Sequence, residues 1–240
     1  MGNVIVTGGS RGIGLAIARA LAARDYTVIA IARQETKELA AAREQAPESI
    51  YFVPFDLSEI GKLHELARTL RGRFGPIYGL INNAGLGTEG ILATMPEADI
   101  EKLIRLNTLA PVMLTKYVVR SMMNEGDGRI VNISSIVAST GYSGLSVYAA
   151  TKASMFGFTK SLAREVGRLG ITVNAVAPGF LETELTASMD AKQREQIARR
   201  SALQRLATVQ DVASAVVFLL GEQARNITGT VITVDAGNTA

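Results

Sequence analysis

The sequence predicts an α/β protein built on one doubly wound parallel β-sheet, with helices packed on both faces. Two observations predict it. About seven short apolar segments recur along the 240 residues, and helical segments separate them. The first apolar segment runs directly into a glycine-rich loop and a helix, the order that nucleotide-binding folds use. Because strand and helix alternate without a linker or repeat, we expect a single Rossmann-type domain over residues 1–240.

The apolar segments are short and rich in β-branched residues, as buried parallel strands are. They are Asn3–Thr7, Tyr26–Ile31, Ile50–Val53, Ile77–Ile81, Gly128–Ile133, Ile171–Val176 and Val231–Val234. Helices are predicted between them, at Leu15–Ala22, Glu35–Gln45, Ser58–Leu70, Pro96–Met123, Ser146–Val166 and Val209–Leu220. A Ser/Gly-rich loop is expected over Val137–Gly144, and the polar stretch 181–203 is expected to form a small helical lid over the site.

Composition excludes several kinds of chemistry. The chain has no cysteine, so disulfides, thiolate metal sites and cysteine nucleophiles are ruled out. Its one histidine, His64, falls on the polar face of a predicted helix, so we expect neither a histidine triad nor a metal site. The net charge of +3 is spread along the chain, which does not indicate a nucleic-acid partner.

No apolar run reaches the length that a membrane-spanning helix needs, and the first strand begins too early to leave room for a signal peptide. We therefore expect a cytoplasmic protein without a membrane partner.

Tyr148 and Lys152 stand four residues apart on a predicted helix, so they should share a face, and Ser135 lies thirteen residues before the tyrosine. An ammonium beside a phenol favours the phenolate. Lowering a tyrosine pKa from ~10 by about 3 units takes about 4 kcal/mol, roughly what a charge ~4 Å away supplies at an effective dielectric of ~20. The pair could therefore donate a proton near neutral pH. The bare spacing also arises by chance on helices, so other motifs must support it.

The glycine loop Gly8-Gly9-Ser10-Arg11-Gly12-Ile13-Gly14 lies between the first strand and the first helix. In such a loop Gly8 would allow the tight turn, Gly12 would let the backbone approach a pyrophosphate, and Gly14 would let the helix pack on the strand. The free N–H groups of the helix N-terminus attract an anion. The alternative is a glycine-rich turn with only a structural role.

Arg33 follows the second strand, where an acidic residue would bind a ribose hydroxyl and an arginine accommodates a 2′-phosphate. With Arg11, it could favour NADP over NAD by roughly 10²–10⁴-fold, at about 1.5–3 kcal/mol per charge-assisted hydrogen bond. A solvated surface arginine is the alternative. Asp56 ends the third strand, where it could meet a ligand or cap the next helix. Asn107 stands in mid-helix, a local violation that hints at function.

Together these motifs resemble the short-chain dehydrogenase/reductase family over essentially the whole chain. The matching residues are Thr7–Gly14, Asn82–Gly85, Asn107, Ser135, Tyr148, Lys152 and Pro178–Gly179. The stretches Arg129–Ser135, Ser161–Val166 and Ala177–Phe180 are closest in pattern to the 3-oxoacyl-acyl-carrier-protein reductases and related carbonyl reductases.

The resemblance implies four catalytic roles. Tyr148 would protonate the carbonyl oxygen as hydride arrives from the nicotinamide, and Lys152 would lower its pKa and hold the nicotinamide ribose. Ser135 would bind the substrate carbonyl, and Asn107 would support a water relay of protons.

The resemblance also implies an NADP(H) site. Its residues would be Gly8, Ser10, Arg11, Gly12, Ile13, Gly14, Arg33, Asp56, Leu57, Asn83, Ala84, Gly85, Tyr148, Lys152, Pro178, Gly179, Leu181 and Thr183. The family further implies a homotetramer.

The substrate stays open at this point. A 3-oxoacyl thioester, carried by a protein that Arg199, Arg200 and Arg205 would attract, stands against a general ketone or diketone. NAD-dependent alcohol oxidation by the same site is a further alternative, which Arg11 and Arg33 disfavour. A nucleotide-sensing regulator without catalysis is the most distant one, because the four catalytic positions are all present.

Overall fold

The structure is a computed structural model that describes residues 2–181 and 191–240. Within those residues, seven parallel strands form one sheet in the order β3-β2-β1-β4-β5-β6-β7. The strands are β1 Asn3–Thr7, β2 Thr27–Ala32, β3 Ile50–Pro54, β4 Ile77–Asn82, β5 Gly128–Ile133, β6 Ile171–Pro178 and β7 Val231–Val234. The predicted fold is confirmed, and each strand lies within two residues of its predicted bounds.

Helices cover both faces of the sheet. They are α1 Gly12–Ala22, α2 Lys37–Gln45, α3 Leu63–Phe74, α4 Glu97–Ile104, α5 Ala110–Glu125, α6 Val137–Thr140, α7 Ser146–Val166, α8 Ala191–Arg200 and α9 Val209–Leu220. The N-terminus of α9 is capped by a reciprocal capping box of Thr208 and Asp211. None of the helices in the described ranges is long and apolar enough to cross a bilayer.

The core consists of two apolar layers, one on each face of the sheet. Successive side chains of a strand point to opposite faces. Val4 and Val6 of β1 accordingly belong to the layer under α1 and α9, while Ile5 belongs to the layer under α3, α5 and α7. All three side chains are fully buried. The buried strands hold the seven carboxyl ends at one edge of the sheet.

Strand order reverses direction at β1, which pairs with β2 on one side and with β4 on the other. At such a switch point the loops that follow the two central strands diverge and leave a crevice outside the carboxyl ends. The glycine loop after β1 and the segment after β4 border this crevice.

The stretch Pro96–Met123 is mostly helical, as predicted, but it is not one regular α-helix. α4 ends at Ile104, a π-helical turn spans Arg105–Leu109, and α5 continues from Ala110. Pro111 explains part of the break, because proline has no N–H to offer the Asn107 carbonyl four residues earlier. Such π turns often mark functional sites, and this one carries Asn107.

Three smaller differences concern loops. The predicted helix at Glu35 begins at Lys37, because the Thr36 hydroxyl accepts the Leu39 N–H and caps it. The predicted Ser/Gly loop contains the short helix α6. In the predicted lid over 181–203, α8 is a helix, whereas Thr183 and its neighbours up to residue 190 lie outside the described residues.

Candidate active site

Tyr148 and Lys152 share one face of α7, as their spacing predicts. The Lys152 Nζ atom lies 5.8 Å from the centre of the Tyr148 ring. The Tyr148 hydroxyl lies close enough to the Ser135 hydroxyl for the serine to act on the tyrosine pKa in the lowering direction, and Ser135 follows β5. The three side chains predicted to carry catalysis are therefore brought together by two elements, the carboxyl end of β5 and the first turns of α7.

Ser134 and Ser135 are adjacent, and the structure separates their roles. The Ser134 hydroxyl is buried and donates to the main-chain oxygen of Lys152 at 2.8 Å. The Ser135 hydroxyl also accepts the Val137 N–H at 3.4 Å. Ser134 therefore ties β5 to α7, while Ser135 is the serine that reaches Tyr148.

The Lys152 ammonium is buried. It donates to the Ile133 carbonyl at 3.0 Å, and burial lowers the pKa of Lys152 to about 8. Removing a cation from water disfavours its charged form, so the direction is the expected one. Lys152 is still protonated at pH 7, but its proton is more easily released than that of an exposed lysine.

The prediction that the Lys152 charge lowers the pKa of Tyr148 is wrong for this arrangement. Burial raises the pKa of the Tyr148 phenol, and only the interaction with Ser135 acts in the lowering direction. The Lys152 ammonium is engaged by the Ile133 carbonyl and lies over the ring, so it does not bring the phenol pKa towards neutrality.

Asn107 holds the loop after β4 against α7. Its Oδ1 accepts the Leu86 N–H at 2.8 Å, and its Nδ2 donates to the Leu86 carbonyl at 2.8 Å and to the Thr151 hydroxyl at 3.2 Å. A Cβ built on Gly85 would lie 3.3 Å from both Asn107 Oδ1 and Lys152 Nζ. Glycine at this position thus leaves room beside two of the predicted catalytic side chains.

The glycine loop forms a cradle that a side chain would fill. A Cβ on Gly14 would lie 2.1 Å from the Gly8 carbonyl oxygen, so only glycine allows α1 to begin this close to β1. Gly12 has φ +54° and open space around it. No side chain caps the N-terminus of α1, whose first N–H groups therefore face the crevice. Ser10 and Ile13 lie in the same loop. These features fit the phosphates of a dinucleotide.

Two exposed arginines lie at the edge of this cradle, Arg11 in the loop and Arg33 just beyond β2. Neither side chain forms a hydrogen bond or short ion pair with any part of the chain that the structure describes. The carboxylate of Asp56 accepts the Ser58 N–H and hydroxyl at 2.9 and 2.7 Å. Those two hydrogen bonds, and then the Arg33 charge, lower the pKa of Asp56. Asp56 therefore stabilises the turn that leads to Ser58, and it lies near Arg33. Leu57 beside it is buried.

The segments after β4 and β6 complete the crevice. Asn83 donates to the Thr7 carbonyl at 2.8 Å, and Ala84 follows it. Pro178 ends β6, Gly179 donates to the Val234 carbonyl at 2.9 Å, and Leu181 forms an isolated parallel bridge with Ala207. The structure thus brings every described cofactor candidate to one edge of the sheet, and Thr183 lies beyond the described residues.

Comparison with known proteins gives relatives that match almost the entire chain. A family model described as enoyl-(acyl carrier protein) reductase matches residues 8–239. The 3-oxoacyl-[acyl-carrier-protein] reductase FabG of Escherichia coli is 39% identical over 233 residues, covering 97% of this chain and 95% of that protein. Nodulation protein G of Rhizobium sp. is 36% identical over 235 residues, covering 98% of this chain and 96% of the relative.

The chain belongs to the short-chain dehydrogenase/reductase family. Solved family structures superpose over nearly its full length. A gluconate 5-dehydrogenase from Burkholderia cenocepacia, in complex with NADP and tartrate, has a TM-score of 0.93 at 30% identity, covering 99% of this chain and 94% of the other. ElxO with NADP bound has a TM-score of 0.92 at 34% identity, covering 100% and 99%. This member of the family is an oxidoreductase.

Two threonines of this short-chain dehydrogenase/reductase support the site and were not among the predicted residues. The Thr7 hydroxyl accepts the N–H groups of Asn83 and Ala84 at 2.9 and 3.0 Å, and it donates to the Ile81 carbonyl. The Thr151 hydroxyl accepts from Asn107. The sequence signal was their position, since Thr7 immediately precedes the glycine loop and Thr151 immediately precedes Lys152.

Proposed function

We propose that this protein reduces the ketone of a 3-oxoacyl thioester to a secondary alcohol with NADPH. The observation that carries the proposal is the grouping of Ser135, Tyr148 and the buried Lys152, on a chain that is 39% identical to FabG across nearly its full length. Two hydroxyl groups that meet at a strand end can bind one carbonyl oxygen, which is the recognition that ketone reduction requires.

NADP(H) is the proposed cofactor, which when bound supplies hydride to the carbonyl carbon. The uncapped N-terminus of α1 and the space at Gly12 suit a pyrophosphate, while Arg11 and Arg33 suit a 2′-phosphate. The solved relatives with NADP support the same choice. The remaining proposed contacts are those of the segments after β3, β4 and β6, where Asp56, Asn83 and Gly179 lie.

In the proposed mechanism, Ser135 donates a hydrogen bond to the substrate carbonyl oxygen and Tyr148 donates the proton that this oxygen gains. Electrostatic stabilisation by positioned donors is strongest where charge develops, which here is the carbonyl oxygen. The raised pKa of Tyr148 keeps its proton in place until that charge appears. General-acid catalysis of this kind contributes about 10²–10⁴-fold to the rate.

Lys152 is the proposed source that restores the Tyr148 proton. Its pKa of about 8 lies closer to neutrality than that of an exposed lysine, so proton release costs less. Asn107 is proposed to hold the path to solvent open, because it fixes Leu86 and lies beside Lys152 across the space left by Gly85.

The proposed substrate class draws support from the rim of the crevice. Tyr142 and Phe180 pack edge to face, with ring centres 5.9 Å apart, and join the loop after β5 to the segment after β6. Gly90 donates to the Gly144 carbonyl at 2.9 Å and joins the same loop to the segment after β4. The aromatic pair offers an acyl chain an apolar wall, with Tyr142 itself 54% exposed.

A homotetramer is proposed as the assembled form, and a cytoplasmic location stays a prediction. Ile104 and Leu109, at the two ends of the π turn, are 47% and 40% exposed, which is unusual for large apolar side chains on a helical surface. Burying this face between subunits would remove it from water. Light scattering on the eluted protein should give four times the mass of one chain, which is 25.5 kDa.

The test is NADPH oxidation with an acetoacetyl thioester, compared with a simple β-keto ester and a diketone at equal concentrations. We expect kcat/KM for the thioester to exceed that for the other two by at least about tenfold, a difference of about 1.4 kcal/mol in transition-state binding. Equal or better rates on the simple ketones would instead make the protein a broad carbonyl reductase. A rate with NADH above that with NADPH would contradict the cofactor proposal.

A further inference from the structure

We propose that Asp235 is a positioning residue, which folds the tail Asp235–Thr239 so that it holds the turn Ser201–Leu203 at the end of α8, in the stretch expected to cover the substrate. The inference rests on the proposed function for the role of the crevice. Neither the tail nor this turn belongs to the site described above.

The Asp235 carboxylate is buried, at 8% exposure, and three donors surround it. Its Oδ1 accepts the Gly237 N–H at 2.8 Å, and its Oδ2 accepts the Thr239 N–H at 2.9 Å and the Thr239 hydroxyl at 2.7 Å. Charge-assisted hydrogen bonds to a carboxylate are among the strong ones in proteins. All three come from the tail, so the carboxylate determines how the tail folds.

The backbone that Asp235 holds is one that the chain does not adopt readily. Ala236 has φ +57° and Gly237 φ +77°, both in the left-handed region, which is uncommon for alanine. A non-glycine residue in this conformation persists when its surroundings determine it. The hydrogen bond from the Gly237 N–H to Asp235 supplies that constraint immediately after Ala236.

The left-handed pair directs two main-chain carbonyls towards the 201–203 turn. The Leu203 N–H donates to the Ala236 carbonyl at 3.0 Å, and the Ala202 N–H donates to the Gly237 carbonyl at 3.2 Å. The Asn238 amide adds a third contact, to the Ser201 hydroxyl at 3.2 Å. The tail therefore fixes the chain where it leaves α8.

Asp235 also contacts the segment after β6. A Cβ built on Gly179 would lie 2.5 Å from the Asp235 Cβ, so the two backbones pack directly against each other. Two residues beyond Gly179, Leu181 pairs with Ala207. The segment before α8 and the segment after it therefore lie side by side at this point. One carboxylate thus connects a proposed cofactor contact with the 201–203 turn.

Its loss should affect substrate binding more than chemistry. Ser135 follows β5, Tyr148 and Lys152 lie on α7, and none of the three takes part in the tail hydrogen bonds. The glycine loop and the two arginines are proposed to hold the far end of the cofactor. We expect Asp235→Ala to raise KM for the carbonyl substrate about tenfold, while kcat and the Kd for NADPH each change less than threefold.

Hydrogen exchange of the full-length protein without cofactor tests the positioning directly. In Asp235→Ala, the amides of Ala202 and Leu203 should exchange at least about tenfold faster, while those of β1 keep their rates. Thr228→Ala is the matched control, because the Thr228 hydroxyl accepts the Val173 N–H at 3.0 Å at the opposite end of β6. This control should lower the melting temperature without changing exchange at 202 and 203 or the KM.

Asp235→Asn and Thr239→Val keep the test decisive if the alanine variant does not fold. Asparagine retains an acceptor for the Gly237 N–H, so Asp235→Asn should raise the KM and the exchange rates less than Asp235→Ala does. Thr239→Val removes one of the three donors, so it should also raise both by a smaller factor. Unchanged exchange at 202 and 203 in every tail variant would overturn the proposal, as would a KM shift equal to that of Thr228→Ala. If the wild type reduces no ketone, the proposed function fails, and exchange still decides whether Asp235 holds the turn.

Discussion

The Lys152 ammonium lies 5.8 Å from the centre of the Tyr148 ring; the lysine is buried and the tyrosine is partly buried. Burial moves their two pKa values apart: the pKa of the phenol rises, and that of the ammonium falls to about 8. Burying the Lys152 charge lowers stability, and we propose that the site tolerates this because the pair carries the chemistry.

The first prediction concerns the stability that is lost by burying the Lys152 charge. An unfolded lysine titrates near 10.4 and Lys152 near 8 in the fold, so the unfolded state binds more protons between these values. The penalty is complete below pH ~8, decreases as the pH rises, and disappears above ~10.5. It amounts to about 3 kcal/mol, against which the hydrogen bond to Ile133 returns about 1 kcal/mol. Lys152→Met should therefore raise the free energy of unfolding by about 2 kcal/mol at pH 7.

Urea unfolding of the cofactor-free protein at pH 7 and pH 10 measures this difference. At pH 10 we expect Lys152→Met to be no more stable than the wild type. An equal advantage at both pH values would show that the gain comes from packing and not from the charge.

The second prediction tests the proton donor. Tyr148→Phe removes the hydroxyl that lies close to Ser135 but leaves the ring, so turnover should fall by about 10³-fold while NADPH binds within threefold of the wild type. The control is Tyr142→Phe, which should stay within about twofold of wild-type activity. Substantial turnover by Tyr148→Phe would mean that another group donates the proton.

The third prediction concerns cofactor choice. Arg33→Ala should lower kcat/KM for NADPH by about 10- to 150-fold, the equivalent of one charge-assisted hydrogen bond at about 1.5–3 kcal/mol, and leave that for NADH within threefold. Arg68→Ala removes an exposed arginine from α3 and should change neither. An equal loss of kcat/KM with both cofactors would show that Arg33 does not bind the 2′-phosphate.

The fourth prediction separates the function of the π turn from its stability. Asn107→Leu leaves the N–H and carbonyl of Leu86 without their partners, which should cost about 3 kcal/mol of folding free energy and at least about 100-fold in kcat. Thr108→Val is the control, because Thr108 sits on the same turn and bonds Ser154 of α7 at 3.1 Å. We expect this variant to lose about 1 kcal/mol and to keep its activity, whereas an equal loss in both would reduce Asn107 to a structural role.

The strands could be predicted from the sequence because each is a short apolar run, and the shared face of Tyr148 and Lys152 because residues four apart lie on one side of a helix. The π turn could not be predicted from the sequence, although Pro111 within the predicted helix indicated an irregularity. Its form depends on Asn107 reaching Leu86, a contact across 21 residues.

The electrostatics of the site also escaped the sequence. The spacing of Tyr148 and Lys152 predicts an attraction, but only the fold determines that the ammonium bonds the Ile133 carbonyl, that the lysine is buried and that the tyrosine is partly buried. Desolvation depends on every neighbour, so it reversed the predicted shift of the tyrosine. For the same reason Thr7 and Thr151 emerged as supporting residues only when their partners, distant in sequence, were in place.

The pairing of β7 with β6 has a consequence for the synthesis of the protein. Gly179 is held by the Val234 carbonyl, near the end of the chain, although Thr7 and the glycine loop lie at its beginning. A ribosome makes the glycine loop before the strand that secures Gly179. The crevice is therefore incomplete in the nascent chain until β7 has been made and has paired with β6.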